Sequence, residues 1–180
     1  DRVIEKQEKV RQGVRDQDAA KRALERALAE LEKVIADQKK ALNESKKAQL
    51  APEKANAKGL EKEQKDLNDR TWQLGNELFH EKALPQETRE KALKPLAEAS
   101  NAQDAARQGL EEGAFDLAKG DQERALKDLE KARDALQKAK DDGAQARPGQ
   151  EAKARQEQAD LEKQAKGLSD KMKEAAKANE

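Results

Sequence analysis

Apolar residues recur along the central part of the chain at the spacing of a helix that packs against other helices. The same stretch contains the only Trp of the chain, Trp72, and it is followed by Phe79 and the only His, His80. A seven-residue apolar repeat predicts an α-helix with one buried seam. One heptad position holds Leu60, Leu67 and Leu74, and the complementary position holds Ala57, Gln64, Thr71 and Leu78.

A second apolar seam runs through the first fifty residues and is continuous from Leu24 to Leu42. A single helix over this segment is roughly 70 Å long at ~1.5 Å per residue, which favours an extended bundle over a compact globule. We expect this seam to lack enough partners within the chain, so that the helix is a natural place for self-association. The candidate interface residues on it are Leu24, Leu28, Leu31, Ile35 and Leu42.

Prolines and glycines divide the chain into helices. Pro52 ends the first helix because it removes a hydrogen-bond donor and disfavours helix at the preceding residue. Pro85 suits a first turn, and Gly120-Asp121 supplies a C-terminal glycine followed by an N-cap. The predicted elements are a long helix over 1–50, a three-helix unit over 53–144 (helices at about 53–83, 85–119 and 121–141), a linker over 141–150 and a C-terminal helix over 150–180. The predicted fold is therefore all-α, an elongated antiparallel bundle of four to five helices with coiled-coil packing.

Part of the central seam recurs near the C-terminus. The segment 161–171 aligns without gaps onto 60–70, and the two copies begin 101 residues apart. An interval of about 100 residues that holds three helices is typical of tandem bundle arrays, in which the C-terminal helix begins a second repeat. The alternative is that helices rich in Ala, Glu, Lys and Leu resemble one another by chance.

Composition supports helices and excludes several partners. Charged residues make up 42% of the 180 residues, aromatic residues 2%, and the formal net charge is zero. Without a basic block the chain lacks the electrostatic signature of nucleic-acid binding, and no apolar run is long enough for direct membrane insertion. There is no Cys from which to infer a redox compartment. Because the chain begins at Asp1 rather than Met, we expect a processed or excised product that has lost any upstream signal or anchor.

Candidate chemistry is sparse. Glu77 and His80 have the i, i+3 spacing that di-iron bundles use for two inward ligands. Such sites need a second pair, and the chain has no other His. No Ser or Thr lies in a nucleophile elbow or a glycine-rich turn. The sequence therefore predicts no catalytic residues, no metal ligands and no cofactor, and the chain is not expected to be an enzyme.

Trp72 and Phe79 have two readings. They lie seven residues apart, in a stripe beside the seam residues Thr71, Leu74 and Leu78. The favoured prediction is that both aromatic side chains fill the core at a wide part of the bundle. The alternative is a hot spot for a partner helix, because Trp is enriched among interface anchors.

Three helical families resemble parts of the chain. The 101-residue interval and Trp72 in a long helix are similar to spectrin-type repeats, and the segment 113–132 resembles half of a tetratricopeptide repeat. A closer resemblance, over about 30–175, is to uncharacterised bacterial envelope proteins, which are long Ala/Gln/Glu-rich helical arrays often tethered by an N-terminal membrane segment. The last resemblance implies a bacterial envelope or extracellular location. It rests on the run Gln64-x-x-Leu67-x-x-x-Thr71-x-x-Leu74, followed by the Ala/Leu hairpin around Gly120-Asp121.

The resulting hypothesis is a structural or scaffold protein that acts by helix–helix packing. Its expected partner is a protein, including a second copy of itself in a homo-oligomer or filament. One alternative is an adaptor module that binds another protein in a groove near Trp72. A further alternative is a hydrophilic stress-protection protein that is disordered in dilute solution and helical on drying or binding.

Overall fold

The structure is a computed structural model that describes the backbone of residues 2–177, with side chains throughout 11–145 and at scattered positions outside that range. It is 93% helical, and the described residues form no strand, which confirms the all-α prediction. The elements are α1 (Arg2–Leu50), a short 3-10 turn (Pro52–Lys54), α2 (Ala57–His80), α3 (Gln86–Glu111) and α4 (Phe115–Lys177).

The chain divides into two compact units, of which one is residues 20–140. In this unit four helices share one core. Ion pairs between helices show which helices are neighbours and give the relative direction of α1 and α4. Arg70 of α2 pairs with Glu30 and Asp37 of α1, while Lys39 and Lys46 of α1 pair with Glu130 and Glu123 of α4, respectively. Because the numbers rise on α1 as they fall on α4, these two helices are antiparallel. The described part of the other unit consists of the N-terminal turns of α1 and the part of α4 beyond Lys140.

The core of the 20–140 unit is built from leucines and small residues. Leucines dominate where α1, α2 and α4 meet, whereas α3 contributes mainly alanines. A second, smaller cluster lies at the turn between α3 and α4. The leucines of the main core are Leu24, Leu28, Leu31, Leu67, Leu74, Leu78, Leu84, Leu96, Leu129 and Leu136.

The predicted break at Gly120-Asp121 is wrong, and the turn between α3 and α4 lies seven residues earlier. Gly113 has a φ of 74°, a left-handed conformation that glycine adopts without steric cost. The backbone N–H of Gly113 donates to Leu110 O at 3.2 Å, and that of Ala114 donates to Gly109 O at 2.7 Å, which together form a Schellman motif. Gly120 lies inside α4, because one helical glycine costs only ~1 kcal/mol and does not by itself end a helix.

The prediction of a linker over 141–150 is also wrong, because α4 continues through this segment to Lys177. The separate helices predicted over 121–141 and 150–180 are parts of this one helix. Glycine and proline in the segment predict a helix end, but α4 contains them in its interior. The boundary between the two compact units nevertheless falls between Lys140 and Asp141, at the first residue of the predicted linker.

The remaining helix ends differ from the prediction by a few residues. Pro52 starts a 3-10 turn, and α2 begins at Ala57 because the Asn56 side chain caps it by accepting from the Gly59 N–H at 3.0 Å. Pro95 lies buried in the interior of an unbroken α3. The side chains that define the second copy of the repeat, Leu161 and Leu168, lie outside the described residues, so the repeat stays a prediction.

Candidate functional site

Trp72 and Phe79 lie on the surface, and the prediction that they fill the core is wrong. Their exposed fractions are 66% and 60%. Each follows a buried residue, Thr71 or Leu78, by one position, and one position turns the side chain by about 100° around a helix. The seam of α2 packs against the other helices without them, and the interface reading of the two aromatic side chains stays a prediction.

The two aromatic side chains belong to one surface, which we call the aromatic face: Trp72, Gly75, Asn76 and Phe79. These residues have the i, i+3, i+4, i+7 spacing of one helix stripe. A Cβ added at Gly75 would meet nothing within 4 Å, so the space above the helix there is open. The Phe79 ring meets the His80 ring edge to face, with centroids 5.1 Å apart.

The predicted interface seam on α1 is not available to a partner. All five of its residues are buried in the shared core of the 20–140 unit, with Leu31 completely inaccessible. The expectation that this seam lacks partners within the chain was therefore wrong. Its partners are supplied by α2, α3 and α4, because all four helices fold back along one another. The buried residues are Leu24, Leu28, Leu31, Ile35 and Leu42.

The core also contains a polar cross-section, which we call the glutamine layer: Gln38, Gln64, Gln103 and Gln122. Each of the four helices contributes one glutamine, and none of the four has any exposed surface. Gln38 and Gln64 pair reciprocally, with Nε2–Oε1 distances of 3.3 and 3.2 Å. Gln103 Nε2 donates to Gln38 Oε1 and Gln122 Nε2 donates to Gln64 Oε1, each at 2.9 Å.

The glutamine layer is only partly satisfied. The Oε1 atoms of Gln103 and Gln122 are buried and accept no hydrogen bond, and the same is true of Ser45 Oγ. A buried polar group in this position gives little stability but penalises any other register of the helices.

The sequence contains a partial signal for this layer. Gln64 is visible in the heptad column of α2, and Gln38 lies three residues after Ile35 and four before Leu42 on the seam of α1. Taken alone, each such polar residue at a core position looks like an interruption of the apolar seam. Only the fold reveals that four of them meet.

Arg70 links α1 and α2 at the edge of the core. Its guanidinium donates to Asp37 Oδ2 at 2.6 Å and to Glu30 Oε1 at 3.1 Å. Lys33 also donates to Glu30, at 3.1 Å. The hydrogen bond from Lys33, followed by that from Arg70, lowers the pKa of Glu30, while Asp37 and then Glu30 raise the pKa of Arg70.

Glu77 and His80 line a cleft of about 330 Å³ between α1 and α2. Its other lining residues include Arg26 and Leu74, and Trp72 is not among them. Over the part of the chain that the structure describes, no three His, Cys, Asp or Glu side chains cluster in a way that could hold a metal ion. The groove and Trp72 of the adaptor hypothesis are thus separate features of α2.

No protein-family model matches the chain, and neither a curated protein nor a solved structure shows significant similarity to it. Among the described residues, no helix is sufficiently long and apolar to cross a membrane.

Proposed function

We propose that the protein is a non-enzymatic scaffold that acts by coiled-coil-like helix packing and associates with protein partners, including itself, through the aromatic face. The observation that carries this proposal is the exposure of Trp72 and Phe79 on one helix stripe of a bundle whose core is filled without them. Elsewhere along α2 the exposed residues are mainly charged or amidic.

The charged surface of the bundle and its exposed Trp differ in the association energy that they can contribute. Surface ion pairs contribute ~0–1 kcal/mol each, so the charged faces of this bundle offer specificity but little affinity. Trp side chains are enriched among the residues that dominate binding energies. On this chain the only Trp is two-thirds exposed.

Two other functions remain as alternatives. An adaptor would use the cleft that Glu77, His80 and Arg26 line, which does not include Trp72, whereas the aromatic face favours the scaffold. The stress-protection hypothesis requires a chain that is disordered in dilute solution. The resemblance to bacterial envelope arrays extends the scaffold proposal to a location in the cell envelope.

Two measurements test the proposal. Circular dichroism in dilute buffer should give high helicity and a cooperative melt, and a largely disordered spectrum would favour stress protection instead. Sedimentation equilibrium at increasing concentration should then reveal self-association. A species that is folded and strictly monomeric at every concentration would overturn the self-assembly part of the proposal.

A further inference from the structure

We propose that the aromatic face binds the aromatic face of a second copy of this chain, with the two α2 helices antiparallel about a two-fold axis between Gly75 and Asn76. This inference rests on the scaffold function proposed above and names its partner. In such a pair Trp72 of one copy lies opposite Phe79 of the other. The interface is isologous, so the same stripe serves both copies.

Gly75 gives the first argument for a close helix partner. A glycine inside a helix costs ~1 kcal/mol relative to alanine. Among the described residues nothing lies within 4 Å of the position where its Cβ would be, as is also true of Gly120, so packing within the described bundle does not require a glycine here. Midway between two exposed aromatic residues, the missing side chain permits another helix backbone to approach closely.

Charge gives the second argument. The two-fold relation that pairs position 72 with 79 also pairs position 69 with 82. Those residues are Asp69, about one turn before Trp72, and Lys82, in the turn that follows α2. Both are exposed, and within the part of the chain that the structure describes neither forms an ion pair. Antiparallel pairing therefore brings the Asp69 carboxylate of each copy to the end of the partner's α2 that Lys82 follows, whereas parallel pairing places Asp69 opposite Asp69.

The size of the face sets the expected strength. Aromatic side chains bury roughly 150–250 Å² each when fully covered. Four rings that start about two-thirds exposed can then remove roughly 400–600 Å² from water, well below the ~1,200 Å² of a stable interface. The pairing should be transient, with a dissociation constant on the order of 0.1 mM.

Cysteine cross-linking tests the position of the axis. The chain has no Cys, so Asn76→Cys introduces a single thiol beside the proposed two-fold axis, where each copy meets itself. We expect this variant to form a disulfide-linked dimer on mild oxidation. A matched variant, Lys127→Cys on the exposed side of α4, should stay largely monomeric under the same conditions. Equal cross-linking of the two variants would overturn the proposal.

Substitutions test the contacts. Trp72→Ala should abolish concentration-dependent sedimentation and leave the thermal melt unchanged, because the side chain is exposed. Leu117→Ala is the control, since Leu117 is 69% exposed on α4 and outside the aromatic face. Asp69→Lys should weaken the dimer roughly fivefold through like charges, and Asp69→Lys combined with Lys82→Asp should restore it.

The outcomes separate the two levels of the proposal. A wild-type chain that stays monomeric, and binds only another protein or a lipid vesicle, would remove both the dimer and self-assembly. If Trp72→Ala self-associates as well as the wild type, or if Asp69→Lys combined with Lys82→Asp does not restore the dimer, self-assembly stands but this antiparallel pairing is excluded.

Discussion

Replacing one glutamine of the glutamine layer with leucine should destabilise the protein, even though leucine is the better core residue. In Gln64→Leu, the Nε2 groups of Gln38 and Gln122 each lose the acceptor that they have in the folded chain. An unsatisfied buried donor costs ~1–3 kcal/mol, so the two together cost roughly 2–6 kcal/mol. Burial of the leucine side chain offsets about 1.5–3 kcal/mol of this.

Taking the middle of each range, the net effect is a loss of about 2 kcal/mol in the free energy of unfolding. For a chain of this length the melting temperature should fall by about 4–8 °C. Urea denaturation monitored by circular dichroism measures both quantities. Gln73→Leu is the matched control, because Gln73 is exposed and bonds only Glu77 of its own helix; it should stay within about 0.5 kcal/mol of the wild type.

The variant with all four glutamines replaced by leucine makes the test decisive. With no amide left in the layer there is no buried donor to orphan, so this variant should be at least as stable as the wild type. The single and quadruple changes would then be strongly non-additive. If Gln64→Leu matched Gln73→Leu, or if the quadruple variant lost the sum of four single losses, the hydrogen-bond argument would be refuted.

Two further predictions concern the turn between α3 and α4 and the pH dependence of stability. Gly113→Ala forces a side chain into a left-handed conformation and should lower the free energy of unfolding by ~1 kcal/mol. Gly120→Ala, with open space at its Cβ, should raise it by up to ~1 kcal/mol. Equal melting temperatures for the two variants would contradict the assigned turn. The Glu30 carboxylate, whose pKa the bonds from Lys33 and Arg70 lower below its ordinary 4.5, contributes stability above that pH and loses it as the pH falls through the lowered value. At pH 6 Glu30→Gln should therefore be less stable than the wild type by no more than ~1 kcal/mol, because solvent screens a carboxylate whose side chain is 39% exposed. A difference that persisted unchanged to pH 2 would exclude this cause.

The helices of this protein could be predicted from sequence because each leaves a periodic apolar seam, as Leu67, Thr71, Leu74 and Leu78 do in α2. The turn at Gly113 was missed because two glycines lie within eight residues, and only the backbone conformation distinguishes the one that ends a helix. The exposure of Trp72 was missed because a single position on a helix separates core from surface. Contacts between distant residues, such as Gln38 with Gln103, leave no local pattern at all.

The order of the helices has a consequence for how the chain folds. Three short connections, at 51–56, 81–85 and 112–114, join helices that are neighbours in the bundle. Each hairpin can form from contacts that are close in sequence, and folds dominated by such contacts reach the native state in microseconds to milliseconds. The pairing of α1 with α4 closes the longest loop, as the bond from Gln49 to Asp116 illustrates. The glutamine layer needs all four helices, so its hydrogen bonds are complete only when α4 has packed against the other three.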